Sequence, residues 1–190
     1  PDAGNGEILH LYGTPEQRRD FLPEFAAGRR LGAFALTEPT SGSDAASMQT
    51  VAVPRGEGYV MDGAKNFITN GPQADVVLLF AMTDRAKRHK GITAFLVPAD
   101  AKGFTRGKPD AKVGIRASGT CTLFFEGCEL PSRFRLGEEG EGFKIAMTTL
   151  DGGRIGIAAQ ALGIARAGYE AALAWAKERK AFGEPIAKLQ

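Results

Sequence analysis

The sequence predicts an α+β fold: an antiparallel β-sandwich or barrel flanked by helices, with one long helix toward the C-terminal side. Three observations predict it. A capped helical stretch ends before residue 30. Short β-like runs, punctuated by Gly, Pro, Asn and Asp, then crowd residues 31–135 with no helical pattern between them, which argues against βαβ units. From about Gly140 the apolar period becomes helical and stays so to about Lys180.

The first helix is expected from about Pro15 to Ala27. Thr14 suits the N-cap, Pro15 the first helical position, and Gln17 completes a capping box. Phe21, Leu22 and Phe25 form its apolar stripe, and Gly28 suits the position after the cap. Strands are expected at Ala33–Leu36, Gln49–Pro54, Gly58–Met61, Val76–Met82, Thr93–Val97 and Thr120–Phe125. The unbroken apolar run from Val76 to Phe80 predicts a strand buried on both faces. In the last stretch Ile155, Ala158, Leu162, Ala165, Tyr169, Ala172 and Ala176 recur at alternating steps of three and four, a packed seam. Glycines inside it, Gly152 and Gly153 first among them, each cost about 1 kcal/mol relative to Ala. Such a helix needs close-packed neighbours, or breaks in two at the first Gly pair. The expected division is residues 1–30 as the end of a helical domain, 31–136 as a β domain, and 137–190 as the start of a second helical domain.

Composition removes several function classes. The chain has 190 residues, 24 Lys and Arg against 22 Asp and Glu, and a net charge of +2, which does not suggest a nucleic-acid partner. Glycine is the outlier, 25 residues, about twice ordinary usage. The longest apolar run, Val76–Met82, is far short of the roughly 20 residues of a membrane span. No basic, apolar, small-residue signal pattern opens the chain. Cys121 and Cys128 are an odd number of residues apart in a strand-like stretch, which places them on opposite faces and argues against a disulfide or a shared metal. His10 and His89 stand alone, without metal-ligand spacing.

Several constellations could carry chemistry. Thr37 to Asp44 packs hydroxyls, Pro39 and Gly42 into one loop. It is either an anion- or heterocycle-binding loop or a polar turn in which Ser43 and Asp44 bond locally. Lys65 to Gly71 sets Phe67 beside Thr69. It is either a stacking platform with a hydroxyl or a strand ending in an Asn-Gly turn. Asp151 and Arg154 fall one helical turn apart, as a ligand clamp or a surface ion pair. Lys177, Arg179 and Lys180 could bind phosphate or form a solvated helix end. Gly140-Glu141-Gly142 opens like a dinucleotide fingerprint, but Ile145 occupies the third glycine position and no βαβ unit surrounds it.

Taken together, these segments resemble the acyl-CoA dehydrogenase family. Gly32 to Asp44 (GAFALTEPTSGSD) resembles its flavin-loop signature, and Lys65 to Gly71 its second flavin loop. Gly114 to Ser118 and Phe124 to Pro131 resemble the later strands of its middle domain. Leu150 to Gly163 (LDGGRIGIAAQALG) and Glu178 to Gly183 resemble its first long C-terminal helix, most closely in the short-chain, butyryl-CoA type. The order is that of the family, and the resemblance covers essentially the whole chain.

The resemblance implies FAD-dependent α,β-dehydrogenation of an acyl-CoA thioester, with hydride passing to flavin N5. It further implies an electron-transferring flavoprotein as partner, a homotetramer, and a bacterial cytoplasm or mitochondrial matrix as location. It would place Phe34, Leu36, Thr37, Gly42, Ser43, Phe67, Ile68 and Thr69 at the flavin, and Ser43, Asp151 and Arg154 at the acyl-CoA. Arg179, Phe182 and Gln190 would reach the FAD of a neighbouring subunit. Where this chain has Phe67 the family often has Trp. The family's usual catalytic Glu is expected beyond Gln190, and its alternative position on the long helix is Gly153 here. The chain is accordingly expected to be a piece of a longer enzyme. The alternatives are a non-catalytic flavin- or CoA-binding or assembly module, and an oxidase that uses oxygen.

Overall fold

A computed structural model of the protein describes residues 3–189; Gln190 lies outside the described residues. The chain divides into two units, Pro1–Thr149 and Leu150–Gln190.

In the first unit two helices precede the strands, α1 (Ala3–Tyr12) and α2 (Pro15–Ala26). Helix α2 has the expected capping box. The Thr14 hydroxyl accepts from Gln17 N at 3.1 Å, and Gln17 Oε1 accepts from Thr14 N at 3.0 Å. The same Gln17 amide donates to the carbonyls of Arg133 and Arg135 at 2.8 and 2.9 Å. One buried side chain therefore both starts the helix and fastens it to the β region. Helix α1 was not expected. Two glycines and weak amphipathicity hide it, yet Ile8 and Leu9 are almost wholly buried.

Eight strands form one mixed sheet: β1 (Gly32–Ala35), β2 (Val51–Arg55), β3 (Gly58–Thr69), β4 (Val76–Met82), β5 (Ile92–Pro98), β6 (Phe104–Arg106), β7 (Thr120–Pro131) and β8 (Arg135–Leu136). The hydrogen-bonded order is β6-β7-β3-β2-β4-β5-β8, with β1 also paired to β4. Most pairings are antiparallel, as expected. The exceptions are β1, parallel to β4 from Gly32↔Val76 to Ala35↔Leu79, and β2, parallel to β4 at Val51↔Met82. Both run along the same edge of β4, so residues 36–50 leave the sheet as a loop and return to the edge they left. That loop holds the first predicted flavin segment.

The sheet folds over on itself. Tyr59 of β3 and Phe95 of β5 are not sheet neighbours, yet their rings meet edge-on at 4.8 Å. Val77, Leu79, Phe95, Val97, Leu123 and Phe125 join them in one core. Every residue of β4 is buried, as the unbroken apolar run predicted.

Strands β3 and β7 both run well past the expected ends, because each continues through a bulge. In β7 the register steps from Met61↔Cys128 to Gly63↔Phe125, and Gly127 adopts φ +58°. The extra residue reverses the alternation. Cys121 and Cys128 therefore both face the core, contrary to the expectation of opposite faces, and both are free thiols. Burial pushes the Cys128 thiol up to about 11.

Helix α3 (Gly142–Glu178) begins against the sheet. A Cβ on Gly142 would lie 2.7 Å from Thr93 C and 2.8 Å from Ile92 O. The second glycine of the Gly140-Glu141-Gly142 run thus serves close helix–strand packing. In the second unit the helix continues through Gly152 and Gly153 without a break, and a hairpin of β9 (Lys180–Ala181) and β10 (Glu184–Pro185) follows. Ile155, Leu162 and Tyr169 of the expected packed seam are exposed, as is Trp175 beside it. Among the described residues no helix is long and apolar enough to cross a membrane, and no group of side chains could hold a metal ion.

Phe95→Ala should cost about 3–5 kcal/mol, the range for a fully buried ring whose core cannot close around the gap. Urea unfolding measures it, as a lower midpoint with an unchanged slope.

Candidate functional site

The two predicted flavin segments lie side by side. Asn66 N donates to Thr37 O at 2.8 Å, joining the loop after β1 to the middle of β3. At that point the β3–β7 pairing has its second bulge, on β3: the register steps from Lys65↔Leu123 to Ile68↔Cys121, three residues along β3 for two along β7. Phe67 takes the extra place with φ +58°, a strained conformation for an aromatic residue. Regular alternation from Lys65 would turn Phe67 inward. The bulge turns it out, to 67% exposure, and sends Ile68 into the core.

The first loop is held by its own turn bonds. Glu38 and Ser41 exchange main-chain bonds at 2.8 and 3.2 Å. The Ser41 and Ser47 hydroxyls both donate to the Asp44 carbonyl, at 2.7 and 2.8 Å. The local bonding expected of Ser43 and the Asp44 side chain is thus carried by Ser41 and Ser47. Gly42 and Ser43 are left exposed at the tip.

Beneath the loop lies a buried ion pair that the sequence reading missed. Lys65 Nζ donates to Glu38 Oε1 at 2.8 Å and to Leu36 O at 3.1 Å, with Met48 Sδ at 3.9 Å. The Lys65 side chain is 0% exposed and that of Glu38 3%. The Glu38 carboxylate also accepts from Gln49 N at 2.5 Å and Thr50 N at 3.0 Å. It therefore clasps the end of the loop to its beginning. Burial pushes the Lys65 ammonium down to about 8, against the pull of Glu38. Burial also raises the Glu38 carboxyl, but the Lys65 charge and the bonds from Lys65, Thr50 and Gln49 outweigh it and hold Glu38 below its ordinary value. A signal was available: counting by two from Tyr59 and Met61 places Lys65 on the core face, where a lysine requires a carboxylate.

The remaining predicted residues fall as follows. Phe34 is half-buried and packs its ring 5.0 Å from that of Phe80. Leu36 is buried, and its carbonyl is taken by Lys65. Ile68 can offer a ligand only main chain, and its carbonyl already accepts from Gly71 N at 3.1 Å. Thr37 is half-buried and Thr69 exposed. Thr37, Ser43 and Thr69 make no side-chain hydrogen bond to another described residue. A cavity of about 770 Å³ lies elsewhere, lined among others by Asp20, Glu24, Arg30, Asp75, Asp100 and Arg133, and none of the predicted site residues borders it.

In the second unit Arg154 and Asp151 form an ion pair at 3.3 Å, with both side chains about three-quarters exposed. Arg179 is exposed at the end of α3. Phe182 stands at the tip of the β9–β10 hairpin with φ +54° and 97% exposure.

An exposed ring on a bulge, an unengaged threonine hydroxyl one hydrogen bond away, and a closed loop with a glycine tip form a surface suited to a flat heterocycle. The chain matches the family models for the acyl-CoA dehydrogenase middle domain over residues 33–128 and C-terminal domain over residues 140–190, and it belongs to that family. It is 52% identical over 183 residues to the short-chain specific acyl-CoA dehydrogenase of Clostridium acetobutylicum, covering 96% of this chain and 48% of that protein. Among solved structures, butyryl-CoA dehydrogenase from Megasphaera elsdenii aligns with a TM-score of 0.94 at 48% identity, over 97% of this chain and 49% of that one. A chain of a structure described as the electron transferring flavoprotein of Acidaminococcus fermentans aligns equally well, at 0.94 and 50% identity, with the same coverage. The chain thus spans about half the length of the proteins it matches.

The lowered Glu38 carboxyl gives a pH signature. Its contribution to stability is fully present above its unfolded value near 4.5 and is lost as pH falls through the lower folded value. Lys65 acts oppositely: the cost of its buried charge stands below about pH 8 and is relieved as pH rises toward 10.5. Thermal midpoints measured below pH about 4.5 should therefore fall less steeply for Glu38→Gln than for the unaltered protein.

Proposed function

We propose that the intact protein is an FAD-dependent dehydrogenase of short-chain acyl-CoA thioesters, passing its electrons to an electron-transferring flavoprotein. The observation that carries this reading is the junction of Thr37 with the Phe67 bulge, inside a chain that belongs to the acyl-CoA dehydrogenase family. FAD, when bound, supplies the acceptor for the β hydride.

The residues present fit that cofactor. Phe67 offers a ring already turned outward, so little ordering is required on binding. The Thr37 hydroxyl is free to bond a heteroatom at the ring edge. Gly42 and Ser43 at the loop tip offer main chain and a hydroxyl to phosphate oxygens or to the thioester ligand. Phe34, Leu36, Ile68 and Thr69 shape the surface around them. The Asp151–Arg154 pair is assigned to the CoA portion, and Arg179, Phe182 and Gln190 to the FAD of a neighbouring subunit. The exposed apolar residues of α3 require packing partners, which further helices of the intact protein and the neighbouring subunits of a homotetramer would supply.

The carboxylate that takes the α proton is assigned to a residue outside positions 1–190, since Gly153 on the long helix has no side chain to serve. Residues 1–30, 31–136 and 137–190 are assigned to successive domains, the middle one carrying the flavin surface. Two free thiols and the absence of cystine among the described residues suit a reducing compartment, a bacterial cytoplasm or a mitochondrial matrix.

The intact protein should carry a flavin visible spectrum that bleaches with butyryl-CoA under anaerobic conditions. A protein with no flavin, or one that bleaches with no acyl-CoA, contradicts the reading. Electron transfer to a dye rather than to oxygen separates dehydrogenase from oxidase. Thr37→Ala should weaken FAD binding by about 0.5–1.5 kcal/mol, the worth of one hydrogen bond. Cofactor titration of the apoprotein measures it.

A further inference from the structure

We propose that Lys65 and Glu38 are positioning residues for the cofactor: their buried pair sets the spacing between the Thr37 loop and the Phe67 bulge, and so sets FAD affinity. This inference rests on the flavin reading given above and adds the device that makes the surface.

A buried ion pair is a weak stabiliser, and well-packed apolar residues of similar volume commonly serve stability as well or better. What an apolar pair lacks is direction. Here each polar contact ties a different segment. Lys65 Nζ holds Leu36 O, immediately before Thr37, at 3.1 Å. It holds the Glu38 carboxylate, immediately after Thr37, at 2.8 Å. Thr37 is thus bracketed by two bonds to one ammonium. The same carboxylate receives Gln49 N and Thr50 N, so the loop bearing Gly42 and Ser43 is closed at both ends by one side chain.

On the other strand the spacing is equally direct. Lys65 is the last in-register residue before the bulge, with Leu123 as its partner on β7. Its neighbour Asn66 donates to Thr37 O and accepts from the Thr122 hydroxyl at 2.8 Å. Phe67 follows directly. Both cofactor segments therefore hang from a single buried ammonium, and neither Lys65 nor Glu38 is exposed enough to touch a ligand itself.

The test uses the intact protein as apoprotein, titrated with FAD, with a thermal midpoint recorded for each variant. Lys65→Met removes the ammonium at similar volume. Lys65→Met/Glu38→Gln removes both charges while keeping one acceptor oxygen for the Gln49 or Thr50 amide. Leu130→Ala, in the same core but paired with Tyr59 at the far end of β3, supplies a variant destabilised for a purely structural reason. Lys65→Met and the double variant should each weaken FAD binding at least about tenfold and shift the bound-flavin visible bands. Leu130→Ala should lose thermal midpoint with near-normal affinity and bands. If Lys65→Met fails to fold, the double variant, which leaves no lone buried charge, carries the same expectation. Normal affinity and bands in the folded double variant overturn the proposal, as does an equal loss in Leu130→Ala. Absence of FAD binding by the unaltered apoprotein would instead overturn the flavin reading itself.

Discussion

The arrangement of the first unit depends on one constraint: an ammonium with no access to water must be satisfied where it lies. Lys65 sits on the core-facing side of β3, in line with Tyr59 and Met61. Left alone there, the charge would cost more than most single contacts return. Its partners can come only from the chain passing above it, so the loop between β1 and β2 must fold down, present Leu36 O and bring Glu38 inward. Once Glu38 is inward, its two oxygens collect the amides at the loop's far end, Thr50 N on the oxygen that holds Lys65 and Gln49 N on the other. The shape of the loop is thus a consequence of satisfying one lysine.

The same economy appears in the sheet. Two bulges, at Phe67 on β3 and Gly127 on β7, lie on adjacent strands and displace the register in opposite senses. One turns a large aromatic out of the core and returns Ile68 to it. The other allows β7 to keep Cys121 and Cys128 on one face although their separation is odd. Because the displacements oppose each other, β3 and β7 stay paired from Gly58↔Pro131 to Thr69↔Thr120. The exposed ring at Phe67 is obtained without giving up the pairing on either side.

The sequence discloses the framework well and the site only in part. Capping residues mark α2 to within a residue, and the apolar run of β4 matches its observed limits, because both signals are local. Strands β3 and β7 are read short because a bulge breaks the period of two on which the reading relies. Strands β6 and β8, three and two residues long, give almost no period to read. Helix α1 escapes because two glycines and weak amphipathicity leave little helical period to read. At the site, the loop and the aromatic are visible as motifs. The Lys65–Glu38 pair is not, since the two residues are brought together only by the sheet. Its trace in the sequence is a lone lysine at a core-facing position, a signal that gains meaning once the register is known.

The central claim is that one buried pair closes the loop, and its most direct measure is amide exchange at Gln49 and Thr50 in the intact protein, before any cofactor is added. The account predicts that both amides are protected in the unaltered protein and exchange much faster in Lys65→Met, while amides in the middle of β4 keep their protection. Equal protection of Gln49 and Thr50 in the two proteins would contradict it, because the loop would then be closed by something other than the pair.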